Sequence, residues 1–367
     1  MSRIHKIEVP LNGGAVIGHL TLDNPKALNA VALDMIEPML AAIHDWEARP
    51  EVVAIVIDAA GDKAFCAGGD IVNLYRSKIG EAPADYPERF FTQEYRLCHD
   101  LHRLTTPVIA WGHGVVMGGG CGLFAGASHR VVTETTRLAM PEIKIGLFPD
   151  CGATWFFSRL PHYMARFAAL TGATLSPADT LFAGLAEHAI RHEAKDSVMA
   201  ALGEASDWHD PQHTVSTILA EAEERARAAE VAESQLMAEA PTLQRAAAGS
   251  HLVDVVSGLA ALTDSSNEWL AACAQNLVDG CPTTAHLIHD QLETGRYLSL
   301  AQCMQRELAM ALACCRHADF AEGVRALLVD KDKQPAWTYT TIADVPAAHV
   351  ADHFVAGWNG AHPLADL

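Results

Sequence analysis

VVAIVID, Val52 to Asp58, is a continuous apolar run closed by one acid. A strand with one wet face alternates apolar and polar side chains. A run without alternation belongs to a strand covered on both faces, as in a parallel sheet. Upstream, Ala15 to Leu22 (AVIGHLTL) reads as another strand, and Asn29 to Glu47 as an amphipathic helix between the two. Downstream, Thr106-Pro107 opens a second buried run, VIAWG. Short β-branched runs alternating with helical stretches up to about residue 200 predict an α/β layered fold.

After Leu185 the character changes. Residues from about 193 to 240 are rich in Ala and Glu at helical spacing, with the charge reading as a solvated helix face. Asn267 to Asn276, Thr283 to Glu293 and Leu298 to Cys314 continue as helices, punctuated by Gly280, Pro282 and Gly295. A boundary is placed near 190–210. That division gives a catalytic core over 1–200 and a helical C-terminal region over 201–367.

The chain of 367 residues is half hydrophobic and 19% charged, a composition that folds rather than stays disordered. Lys and Arg number 26 against 45 Asp and Glu, a formal charge of -19. With no excess of cations to displace counterions, nucleic acid is not an expected partner. Nine scattered cysteines without C-x-x-C spacing indicate a reducing compartment, read here as the cytoplasm. The N-terminal MSRIHKIEVPLNGG resembles neither a signal core nor a transit helix. Val108 to Ala127 carries no formal charge, but its seven glycines suit a strand running into a turn, not a membrane helix.

Chemistry concentrates between Ala64 and Asp150. AFCAGGD, Ala64 to Asp70, follows the buried strand, and Gly68 and Gly69 let backbone approach a ligand closely; a tight turn without a ligand would read the same way. GHGVVMGGGCG, Gly112 to Gly122, lacks the Gly-Lys-Ser/Thr of a phosphate loop, and Met117 stands where a dinucleotide fingerprint needs its third glycine. Its glycine triplet opens a helix whose first N–H groups are free to meet a carbonyl oxygen gaining negative charge. Close helix–strand packing would also demand small residues there.

Glu142, in the apolar setting MPEIKIGLF, is a candidate base or nucleophile, with an ion pair to Lys144 or Arg137 as the structural alternative. Asp150 precedes the helical CGATWFFSRL, where an N-cap role would be worth about 1 kcal/mol. Nineteen histidines include no HExxH, and His99 and His102 read as packing residues, so no metal is expected. No G-x-S-x-G elbow supports a serine hydrolase.

NPKALNA, KAFCAGGDI, HGVVMGGG and MPEIKIGLFPDCGATWFFSRLP resemble the crotonase (enoyl-CoA hydratase/isomerase) superfamily. Asp319 to Trp337, DFAEGVRALLVDKDKQPAW, resembles its 3-hydroxyisobutyryl-CoA hydrolase branch. The resemblance implies a crotonase-like spiral of ββα turns with a helical C-terminal region. It implies an oxyanion hole at the N–H groups of Gly69 and Gly119, with Glu94, Gly119, Glu142 and Asp150 beside the substrate. Lys26, Ala27, Leu28, Ala64, Ala67, Gly68, Gly69 and Asp70 would line the CoA arm. CoA would be part of the substrate, with no further cofactor.

Family members that hydrate a double bond carry a glutamate at the place of Gly122 and tend to carry glycine at the place of Asp150. The resemblance therefore implies an acyl-CoA thioester hydrolase of valine catabolism, with Glu142 and Asp150 catalytic. The competing expectations are an enoyl-CoA hydratase/isomerase using Glu142 alone and a non-catalytic acyl-CoA-binding protein. Oligomeric state varies within the family, which leaves a homo-oligomer open.

Overall fold

The computed structural model describes residues 3–227, 233–355, 357, 358 and 360–367. They fall into two compact units: Met1–Gly69 with Leu97–Leu138 and Leu175–Met237, and Asp70–Arg96 with Ala139–Thr174 and Ala238–Leu367.

The first unit is built on the expected sheet. Strands β1 (Ile4–Pro10), β2 (Val16–Leu22), β3 (Val52–Ala59), β5 (Val108–Gly112), β7 (His129–Val132) and β9 (His188–Ala189) lie in the order β1-β2-β3-β5-β7-β9. Only β1–β2 is antiparallel; from β2 onward each neighbour is parallel. Every residue of β3 is buried, as its unalternated apolar run requires. Ile17, Ala54, Val56, Ile109, Trp111 and Val131 form a core with Val198, Leu202, Val215 and Leu219 of the helices Lys195–Glu204 and Pro211–Ala226.

A second, three-stranded sheet has the order β4-β6-β8, from β4 (Ala64–Cys66), β6 (Val115–Met117) and β8 (Arg137–Ala139). The chain visits the two sheets alternately: β3 then β4, β5 then β6, β7 then β8. Each advance by one strand in the large sheet is matched by one in the small sheet, which generates a spiral of strand pairs. Within it, a Cβ on Gly120 would stand 2.3 Å from the Cys66 carbonyl oxygen. Part of the glycine triplet is therefore a packing requirement.

Three helical expectations shift at their ends. The first helix spans Leu33–Glu47 instead of starting at Asn29. Leu28 and Asn29 are left-handed (φ 52° and 57°), and the Asn29 amide donates to Ala60 O and Ala64 O, so the segment is a pinned turn. Up to Ala226 the Ala/Glu-rich stretch forms two helices, Lys195–Glu204 and Pro211–Ala226, with a break at 205–210; residues 228–232 of that expectation lie outside the described residues. Asp150 is not an N-cap: the helix that follows is Ala153–Phe157, with Gly152 (φ 92°) at the cap position.

The second unit is mostly helical. Pro282–Gly295 starts on its proline, and Leu300–Arg316 starts on a reciprocal capping box of Ser299 and Gln302. Among the described residues no helix is long and apolar enough to cross a membrane.

Candidate active site

In the second unit, three acids are buried together. Glu94 lies on the helix Tyr86–Arg103, on one stripe with Phe90, Phe91 and Tyr95, and is 3% exposed. Glu142 opens the short turn Glu142–Ile145 behind Pro141 and is 5% exposed. Asp150 is 4% exposed and accepts a 2.7 Å hydrogen bond from the Tyr95 hydroxyl. The ion pair considered for Glu142 is not formed: its Oε2 is buried and has no hydrogen-bond partner, and Oε1 of Glu94 is in the same state. An unpartnered buried carboxyl oxygen is uncommon in a folded protein and marks a place where polar atoms await a partner.

Burial and mutual repulsion govern these carboxyls. Burial pushes Glu142 well above its usual range, and Asp150 and Glu94 push it further. Glu94 is driven up by burial and by Asp150. Asp150 is raised to about 6 by burial, held there against the stabilising hydrogen bonds of Tyr95 and Cys151. The three carboxyls sit close enough to titrate as one system, each with its proton affinity raised. If ionisation of Asp150 is needed for turnover, kcat/KM should rise with pH through about 6. A rate flat from pH 5 to 8 would exclude that requirement.

Two residues outside the sequence reading shape the loop that carries Asp150. Glu307, fully buried on Leu300–Arg316, accepts from the backbone N–H groups of Gly152 (2.8 Å) and Thr154 (2.9 Å). Gln291 donates to the Pro149 carbonyl and to the Thr154 hydroxyl. Between these clamps Cys151 is left-handed at φ 55°, a conformation that costs a non-glycine residue about 1 kcal/mol or more. One signal for Glu307 was legible: a lone acid at helical spacing with Cys303, Met304, Leu308 and Met310. Tyr95 had no signal beyond its adjacency to Glu94. Glu94, Asp150 and Cys151 also offer ligand atoms within 4.8 Å of one another, a donor set able to hold a cation.

The first unit gathers the glycine loops. Val31 N donates to Gly68 O and Ala67 N to Leu28 O, which joins the 26–28 turn to the AFCAGGD loop. A Cβ on Gly68 would stand 3.8 Å from the Gly119 nitrogen, so both loops meet at one place. Gly119 is the first residue of the helix Gly119–Ala125, where amides have no preceding helical carbonyl. Lys26, Leu28 and Ala64 line a cavity of about 370 Å³ with Lys63 and Asp62, and its two ammonium groups suit an anionic arm. Asp70, in the second unit, caps Ile71–Lys78 through Asn73 and accepts from Tyr86, which is a structural use of its carboxylate.

A family model described as enoyl-CoA hydratase/isomerase matches residues 17–354. The chain belongs to the enoyl-CoA hydratase/isomerase family. This family member is 34% identical over 329 residues to the mitochondrial 3-hydroxyisobutyryl-CoA hydrolase of Danio rerio, covering 89% of this chain and 84% of that one. It is 32% identical to the mitochondrial 3-hydroxyisobutyryl-CoA hydrolase of Homo sapiens, covering 95% and 88% of the two chains. Among solved structures it resembles a carnitinyl-CoA dehydratase from Mycobacterium thermoresistibile (TM-score 0.83, 32% identity, 95% and 96% covered). An enoyl-CoA hydratase from Rhodobacter sphaeroides is also similar (TM-score 0.79, 28% identity, 96% and 97% covered). The crotonase fold expected from the motifs is thereby established for this enoyl-CoA hydratase/isomerase family member.

One expectation is overturned. The cytoplasmic reading rested on scattered cysteines without C-x-x-C spacing and on an N-terminal segment unlike a signal core or transit helix, and the relatives from Danio rerio and Homo sapiens are mitochondrial proteins. All nine cysteines are buried and none is in a disulfide. Buried thiols are consistent with any reducing compartment, so cysteine usage was never specific to the cytoplasm.

Proposed function

We propose that this chain hydrolyses the thioester of a short 3-hydroxyacyl-CoA, converting 3-hydroxyisobutyryl-CoA to 3-hydroxyisobutyrate and CoA, a step of valine catabolism. The observation that carries the reading is Glu142, a buried carboxyl with an unpartnered oxygen, electrostatically coupled to Asp150. The hydrolases among its relatives support the same reaction.

In this reading the N–H groups of Gly69 and Gly119 receive the thioester oxygen and stabilise the oxyanion of the tetrahedral intermediate. Losing one such donor typically costs about 10²–10³ in rate. Glu142, ionised, takes a proton from water as that water adds to the carbonyl carbon, or itself adds to give a mixed anhydride that water opens. In the first course the tetrahedral intermediate expels CoA, which takes up the proton Glu142 drew from water; in the second the C–S bond breaks as the anhydride forms, and the water that opens the anhydride supplies the proton CoA takes up. Asp150, oriented by Tyr95, receives the substrate hydroxyl, and Glu94 completes the acyl pocket. Lys26 to Leu28, Ala64 and Ala67 to Asp70 line the CoA arm, and the reaction needs no further cofactor. Residues 1–200 carry the acyl-CoA-binding and catalytic loops; 201–367 is a helical region whose Gln291 and Glu307 brace the loop at Asp150.

The solved relatives are a dehydratase and a hydratase, which favours a second reading: water addition to an enoyl-CoA double bond with Glu142 alone. Against it stands Gly122, at the place where the family's hydratases carry a second glutamate. A panel of acyl-CoA esters separates the two readings. Free thiol should be released from 3-hydroxyisobutyryl-CoA, with other short 3-hydroxyacyl-CoA esters next and little loss of crotonyl-CoA absorbance. Hydration of crotonyl-CoA without thiol release would overturn the proposal. Single turnover in ¹⁸O water then distinguishes the two roles of Glu142: label incorporated into its side chain indicates the anhydride, and label in product alone indicates general base catalysis.

A further inference from the structure

In the second unit, among residues given no role above, three histidine rings converge. His317 stands between the helices Leu300–Arg316 and Ala318–Val324; His349 lies on the helix Ala347–Asp352, and His353 is the residue after it. One ring nitrogen from each lies within 4.8 Å of the others. The His317 and His353 rings are 4.2 Å apart at their centroids, and His349 meets both edge-on at 4.6 and 5.0 Å.

The remaining hydrogen bonds sort the nitrogens. His353 Nδ1 is 2.9 Å from the His349 carbonyl oxygen, and His317 Nε2 is 2.9 Å from an Asp352 carboxylate oxygen. Both contacts require the histidine nitrogen to donate its N–H, because a carbonyl and a carboxylate only accept. That leaves lone pairs on His353 Nε2 and His317 Nδ1. The third ring contributes Nε2 of His349, which is buried and has no hydrogen-bond partner. A ring whose second nitrogen donates to a carboxylate or carbonyl is the usual arrangement of a metal-ligating histidine.

We propose that His317, His349 and His353 form a binding site for a borderline divalent transition ion of the zinc class. Three imidazoles without a thiolate or a ring of carboxylates suit zinc rather than magnesium or calcium. A tetrahedral ion with Zn–N near 2.0–2.1 Å needs ligand nitrogens about 3.3 Å apart, a contraction that side-chain rotation supplies, with water as fourth ligand. Asp352 orients His317 from behind. The ion would tie the C-terminal helix Ala347–Asp352 to the junction of the two preceding helices. The pair His349-x-x-x-His353 has ligand spacing, and its third ligand lies 32 residues upstream.

The test uses the full chain, stripped with chelator and titrated with Zn²⁺ by calorimetry, with Co²⁺ as a visible-absorbing substitute. The expected result is one ion per chain, a melting temperature that rises with Zn²⁺, and four-coordinate Co²⁺ bands. His349→Gln should abolish all three, and Asp352→Asn should weaken binding about 10–100-fold. Asp150→Asn should leave them unchanged, and thiol release should be unaffected by His349→Gln in chelator. Absence of binding, binding that survives His349→Gln, or binding lost only in Asp150→Asn would overturn the proposal. Should His349→Gln not fold, His317→Asn at a part-exposed position decides between the same outcomes.

Discussion

Glu142→Gln lowers kcat for thioester hydrolysis by about 10²–10⁴-fold, the range expected when a positioned acid–base group is removed. Gln keeps the volume and the buried position, so the acyl pocket and the CoA contacts persist. Affinity for a non-hydrolysable thioether analogue should therefore change little. What is lost is a carboxylate that takes a proton or attacks carbon. The substitution also removes a like charge from beside Asp150 and Glu94, since Asp150 and Glu94 are among the groups that raise Glu142. Any residual activity should then respond to pH differently from the wild type, with the acid limb displaced downward. Stopped thiol-release assays and calorimetry with the analogue give both quantities. Turnover within tenfold of wild type would remove Glu142 from the chemistry and, with analogue binding intact, would leave the reaction to another group.

Glu307→Ala destabilises the fold by about 2–6 kcal/mol, because two buried backbone donors, Gly152 and Thr154, lose their acceptor at about 1–3 kcal/mol each. The loop they belong to carries Asp150, so kcat should fall in the surviving folded fraction. Glu307→Gln is the finer probe. Gln keeps one acceptor oxygen and most of the volume, so a deficit of about 1–3 kcal/mol is expected near pH 5. Burial raises the Glu307 carboxyl to about 8, against an ordinary value of 4.5, with Asp150 adding to the rise. Between those values Glu307 binds more proton in the folded state than in the unfolded one, so its contribution to wild-type stability falls as pH increases from 4.5 through 8. The Gln variant has no such proton to lose, and its deficit should narrow steadily over that window. Denaturant unfolding at pH 5, 6, 7 and 8 measures this. Parallel curves for the two proteins would show that Glu307 has no raised proton affinity.

The legible parts of this protein share one property: they are local. VVAIVID announced a strand buried on both faces because the absence of alternation is written in consecutive residues, and β3 is buried throughout. The glycine loops were legible because few other sequences leave so much backbone uncovered. Glu142 and Asp150 stood out as acids in apolar surroundings, and the motifs around them identified the family. Asp150 as an N-cap was a local inference that failed, because Cys151 and Gly152 turn left-handed and displace the helix start.

By itself, then, the sequence determined the alternating α/β architecture, the crotonase family and the two carboxyls set among apolar residues, since periodicity and motif spacing are properties of neighbouring residues. Only the tertiary structure decided which groups share a buried environment. Tyr95 reaches Asp150 across 55 positions, Glu307 holds the backbone after Asp150 across 155, and His317 joins His349 and His353 across more than 30. Proton affinities follow from that enclosure: desolvation and repulsion act through space, and chain order does not encode distance in space.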